Sequence, residues 1–142
     1  MITLHELVSR TGLTVDNHLA DAEIPVIDGP QCQGDLAIIP LTMVDGRVRV
    51  RPGADWAPVQ RAGVEVLRGA AMGNAHTLVA DPGTCRWTAD VDDQDNLALG
   101  VLDTTATAYL LHREHGGTGI APGCYVVRRQ REQRDLIAYV AD

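Results

Sequence analysis

Residues 76–88 read HTLVADPGTCRWT, and this stretch decides the fold class. Residues 76–80 and 85–88 are each too short for an ordinary helix, and both carry β-branched or aromatic side chains that suit a pleated surface. Between them, Pro82-Gly83 fits the two central positions of a type II turn, where Pro presets φ and Gly accepts a positive one. The same pattern recurs outward in both directions. Residues 35–41, 47–51, 64–68, 97–102, 106–112, 124–129 and 136–140 read as short strands. Asp45-Gly46, Pro52-Gly53, Gly116-Gly117 and Pro122-Gly123 punctuate them, and Asp-Gly between apolar runs is a hairpin signal. Closely spaced strands with turn chemistry between them predict an all-β fold. The expected form is a small antiparallel barrel or sandwich, cupin-like or jelly-roll in outline.

Two regions break the rhythm. Residues 3–10 predict a short helix with Thr3 as N-cap, Glu6 three residues on and Gly12 as the stop, and Leu4, Leu7 and Val8 form its apolar stripe. Residues 15–33 read as an irregular arm. The expected division is therefore a helix and arm over 1–33 and a single β domain over 34–142. The acidic run 90–95, DVDDQD, reads as an exposed loop without the Gly and closing Glu of a calcium-binding loop.

Composition narrows the function classes. A chain of 142 residues, 45% of them hydrophobic, can bury one domain's core. All 12 basic residues are Arg, and the net charge of −7 opposes non-specific attraction to phosphate backbones, so nucleic acid is not an expected partner. The first residues lack a basic stretch followed by an apolar core, and no apolar run approaches the roughly 20 residues that span a bilayer. A cytoplasmic protein with no membrane partner is the expectation. The three cysteines, Cys32, Cys85 and Cys124, are far apart and form no C-x-x-C pair, which excludes a zinc ribbon and predicts small buried hydrophobes.

The histidines carry the most chemistry. His76 follows Gly73-Asn74-Ala75, and His112-Arg113-Glu114-His115 precedes Gly116-Gly117. On strands, residues i and i+2 share a face, so His112 would align with Glu114, with His115 opposite unless the chain turns back there. Imidazoles from distant strands can meet around an ion, and His76, His112, Glu114 and His115, with Glu132 as a further carboxylate, are the candidate ligands for Zn, Fe, Mn or Ni. The competing reading is polar strand-end histidines hydrogen-bonded to their neighbours. No catalytic residue set is predicted: the zincin, inverzincin and zinc-deaminase spacings all fail, and Cys124 stands without a nucleophile signature.

The run Arg128-Arg129-Gln130-Arg131-Glu132-Gln133-Arg134 alternates its arginines between two strand faces. Arg128, Arg129 and Arg131 could grip an anion, an RNA backbone or a partner protein, since guanidinium forks suit carboxylate and phosphate oxygens. Without interleaved aromatics the run lacks a base-stacking platform.

Taken together, Gly34-Asp35-Leu36, Gly73-Asn74-Ala75-His76, the H-R-E-H-G segment at 112–116 and P-G-C-Y-V-V-R-R-Q-R-E at 122–132 resemble a group of small uncharacterised bacterial proteins. That group often reads G-H-A-H at the first segment and R-Q-R-E-Y at the last, so Asn74 and Gln133 are departures. The resemblance implies a shared pattern and no activity. The reading that follows is a non-enzymatic binding or assembly module, a small subunit of a homo-oligomer or of a larger protein complex. The alternatives are a cupin-like metal-binding protein or metal-dependent enzyme using His76, His112 and His115, and an anion or RNA-backbone binder.

Overall fold

A computed structural model describes residues 2–13, 15, 23–68 and 75–130. Helix α1, Leu4–Thr11, forms where expected: Thr3 Oγ1 accepts from the Glu6 N–H at 3.1 Å, and Gly12 closes the helix in the left-handed region with φ 72°. Among the described residues thirteen strands follow: β1 Val26–Ile27, β2 Gln31–Gln33, β3 Leu36–Pro40, β4 Val48–Val50, β5 Ala57–Pro58, β6 Val64–Arg68, β7 Ala75–Val79, β8 Cys85–Thr88, β9 Val91–Asp93, β10 Ala98–Thr104, β11 Ala108–His112, β12 Gly116–Ile120 and β13 Gly123–Arg129.

They build two open sheets, β1-β12-β11-β7-β6 and β2-β3-β13-β10-β8-β5, plus the ribbon β4-β9. The chain is an all-β sandwich, and among the described residues each sheet keeps its edges and no closed barrel forms. One pairing, β1 with β12, is parallel.

The main core lies between the sheets, where Leu36, Ile38, Val127, Leu102 and Trp87 meet Leu78, Leu110, Ala108 and Ile120. The outer faces are covered as well. Leu4 and Leu7 of α1 pack with Val79 and Leu111 on the five-stranded sheet. Val48 and Val91 of the ribbon pack with Ala37, Ile39, Val101 and Val126 on the six-stranded one. Covering on both sides explains why β3 and β13 contain runs of consecutive buried residues instead of a clean alternation.

Pro52-Gly53 and Pro82-Gly83 are the expected turns, closed by Ala54 N–H to Arg51 O at 3.1 Å and Thr84 N–H to Asp81 O at 3.2 Å, with Gly53 and Gly83 at φ 73° and 82°. Neither is a hairpin. Pro82-Gly83 takes the chain from the five-stranded sheet to the six-stranded one, and Pro122-Gly123 does the same. Unprimed turns splay the flanking strands, which suits a change of sheet. Asp45-Gly46 is likewise not a hairpin, because β3 pairs with β2 and β13 while β4 pairs with β9.

Four further expectations are corrected. Gly116-Gly117 is the start of β12, and residues 113–115 make the turn. The arm contributes β1 and β2, so a boundary at residue 33 would cut the β2–β3 hairpin. The acidic run contains β9 and is structural: Asp93 accepts the N–H groups of Asp95, Leu97 and Ala98, and Asp92 pairs with Arg51 at 2.9 Å. Of the cysteines only Cys85 is buried; Cys32 and Cys124 are exposed. The expected strand 136–140 lies outside the described residues, as do Asn74, Arg131, Glu132 and Gln133. Among the described residues no helix is long and apolar enough to cross a membrane.

Candidate functional site: a histidine-lined end of the sandwich

Inner-face alternation places Ala108, Leu110 and His112 of β11 in line, with Leu78 and His76 of β7 alongside them. His76 and His112 are direct cross-strand partners, so both imidazoles enter the gap between the sheets at one end of the core. They are 4% and 7% exposed. β11 ends at His112, so the strand alternation that would have aligned Glu114 with His112 stops there. The turn 113–115 then swings His115 back. The ring centroid of His112 is 4.4 Å from that of His76 and 4.5 Å from that of His115, and His76 and His115 are 6.3 Å apart.

The opposite sheet closes this end with two glutamines. Gln31 and Gln33 share the inner face of β2 and reach across the gap. Gln31 Nε2 donates to Gly119 O at 3.0 Å and its Oε1 accepts from Thr118. Gln33 Nε2 donates to Leu110 O at 2.9 Å, which turns its Oε1 toward His76 Nδ1 at 3.0 Å. The next residue, Gly34, sits at φ 57° against the His115 ring, where a Cβ would lie 2.8 Å from His115 Nε2. Sequence reasoning missed Gln31, Gln33 and Gly34 as parts of this end; the traces were the Gln-x-Gln alternation and Gly34 in the resemblance pattern.

These bonds assign the tautomers. The orientation of the Gln33 amide makes His76 Nδ1 the donor, leaving a lone pair on Nε2. His112 Nδ1 accepts the backbone N–H groups of Glu114 at 3.1 Å and His115 at 3.2 Å, so its proton resides on Nε2. Burial lowers the His76 pKa from 6.5 to about 4; nearby His112 and His115 add to this and Asp35 opposes it. His76 is therefore neutral at physiological pH. Glu114 joins the cluster through its backbone N–H, and its side chain is exposed.

The structure thus brings together all three predicted histidines, but not as a preformed ligand set. Among the described residues no group of three or more His, Cys, Asp or Glu is arranged to hold a metal ion. The reason at His112 is chemical: ligation through Nε2 would move the proton to Nδ1, against two N–H donors. The arginine strand divides as its alternation required. Arg128 is 6% exposed and pairs with Asp95 at 3.2 Å, whereas Arg129 is exposed. Arg131 lies outside the described residues.

No curated protein and no solved structure matches the chain. A family model described as "Domain of unknown function (DUF8820)" matches residues 32–130, from within β2 to just past β13, taking in His76, His112 and His115 and every strand of the two sheets except β1 and the first residue of β2. The chain belongs to this family of unknown function.

Proposed function

We propose that the protein is a non-enzymatic binding and assembly module that docks a partner chain, a second copy of itself or a larger subunit, on the histidine-lined end of the sandwich. The observation that carries this reading is the turn 113–115. Its exposed side chains, Arg113, Glu114 and His115, stand on a backbone clamped from below by His112 Nδ1. A turn ordered in advance loses little conformational freedom on binding. The same bond argues against acid–base chemistry, since it occupies the one basic nitrogen of His112. A general base also works best with a pKa near the operating pH, well above the value of about 4 at His76. Light scattering coupled to size exclusion tests the reading. The wild type is expected above the mass of one chain, and Arg113→Ser/His115→Ser is expected to return it to one chain. A wild type that is strictly monomeric and carries no stoichiometric subunit contradicts the reading.

A second reading starts from His76. Its Nδ1–H is held by an amide oxygen and its Nε2 lone pair is left over, the arrangement by which outer hydrogen bonds orient a ligating imidazole. A site for Zn, Fe, Mn or Ni on His76 and His115 would recruit His112 only by releasing the turn. Elemental analysis of untagged protein separates this reading from the first: near-stoichiometric metal supports it, and metal-free protein whose stability ignores EDTA removes it.

A further inference from the structure

On the opposite face of the five-stranded sheet from His76 and His112, a cleft of about 150 Å³ lies beside the last turn of α1. Its floor is apolar: Leu7 of α1 and Val79 of β7 are almost fully buried, and Ala80 and Ala106 extend it. Its polar lining is Arg10, Thr11, Arg61, Asp81, Thr107 and Tyr109. Burial raises the Tyr109 pKa, the charge of Arg10 opposes that rise and that of Asp81 adds to it. Among the described residues Arg10 has no ion pair and the Tyr109 hydroxyl has no hydrogen bond. The other cation at the rim, Arg61, is already matched by Asp81 at 3.3 Å. The cleft therefore combines an apolar bed, one guanidinium without an ion pair among the described residues, and neutral hydroxyl donors that include Tyr109. A cavity near this size accepts a six-membered hydrocarbon ring, and binding sites of this kind pair apolar walls with a few convergent polar groups.

We propose that this cleft binds a small monocarboxylate, its apolar body against Leu7 and Val79 and its carboxylate on Arg10, with Tyr109 donating a second hydrogen bond. A guanidinium fork matches a carboxylate in shape and charge. A dicarboxylate would bring its second charge onto the apolar floor or beside Asp81, which limits the class to ligands with one charge. The site is independent of the sandwich end, because Val79 and Tyr109 face outward whereas His76 and His112 face inward.

Benzoate is the probe, with uncharged benzamide as its control, followed by two-dimensional NMR of the full chain. Benzoate is expected to shift the signals of Leu7, Val79 and Tyr109 saturably, with benzamide at least roughly tenfold weaker. Arg10→Gln should weaken benzoate by about the same factor without altering the rest of the spectrum. Val79→Phe, which fills the floor, should abolish binding, and His115→Ser should leave it unchanged. An absence of saturable shifts at these residues, equal binding of benzamide, or wild-type affinity in Arg10→Gln would each overturn the proposal.

Discussion

Gln33 is the residue on which the histidine end depends most. Its amide satisfies Leu110 O and His76 Nδ1 together across the gap between the sheets. Truncating Gln33→Ala leaves both buried partners without a mate, which should cost about 2–3 kcal/mol in urea unfolding. Gly34→Ala is expected to lose at least ~1 kcal/mol by the same measurement, from a left-handed backbone and a collision with His115. His76 makes a pH prediction. Its pKa is about 4 folded and the ordinary 6.5 unfolded, so between those values the unfolded chain binds the extra proton. The stability it contributes is complete above the upper value and is lost as pH falls toward the lower one, by on the order of 2 kcal/mol. Urea midpoints measured from pH 7 to pH 4.5 should show that slope in the wild type and a flatter one in His76→Gln. At this scale the sequence showed which imidazoles matter but not how they are used. Hydrogen-bond partners such as Gln33 come from a strand 43 residues away, and no local pattern encodes them.

Among the elements, the ribbon β4-β9 shows how an acidic segment becomes structural. Burial raises the Asp93 pKa, but three backbone N–H bonds and Arg128 outweigh it and hold the carboxyl below its ordinary value. Asp93→Ala should therefore destabilise the chain by about 2 kcal/mol near pH 7. It should cost less in acid, where the wild-type carboxylate is protonated and its advantage disappears. Strands of four or five residues after a glycine turn were legible: β6 and β8 match their expected limits, and α1 its expected cap. The short strands β1, β2, β5 and β9 were not, since two or three residues carry no periodicity and their pairing comes from tertiary contact. β12 was hidden for a different reason. Its sequence, GGTGI, lacks side chains because Leu4, Ile24 and Val26 pack closely over Gly117 and Gly119.

For the molecule as a whole, the sandwich buries a core between its sheets and covers both outer faces, leaving the histidine end as a rim built from both sheets. The all-β class was readable because turn spacing and strand length are local. The choice of sandwich over barrel was not, because it depends on which strands pair, and the Pro-Gly turns change sheets instead of making hairpins. We propose this end as the partner-docking surface; there His76 is neutral, and structural hydrogen bonds fix the tautomers of His76 and His112. The most direct test is long-range 1H–15N correlation of the imidazoles in 15N-histidine protein at pH 7, before and after one equivalent of Zn2+. His76 should carry its proton on Nδ1 and His112 on Nε2, with neither spectrum changing on addition of zinc. A His112 proton on Nδ1, or a stoichiometric zinc-induced shift of His76, His112 and His115 together, would contradict this and make the cluster a metal site.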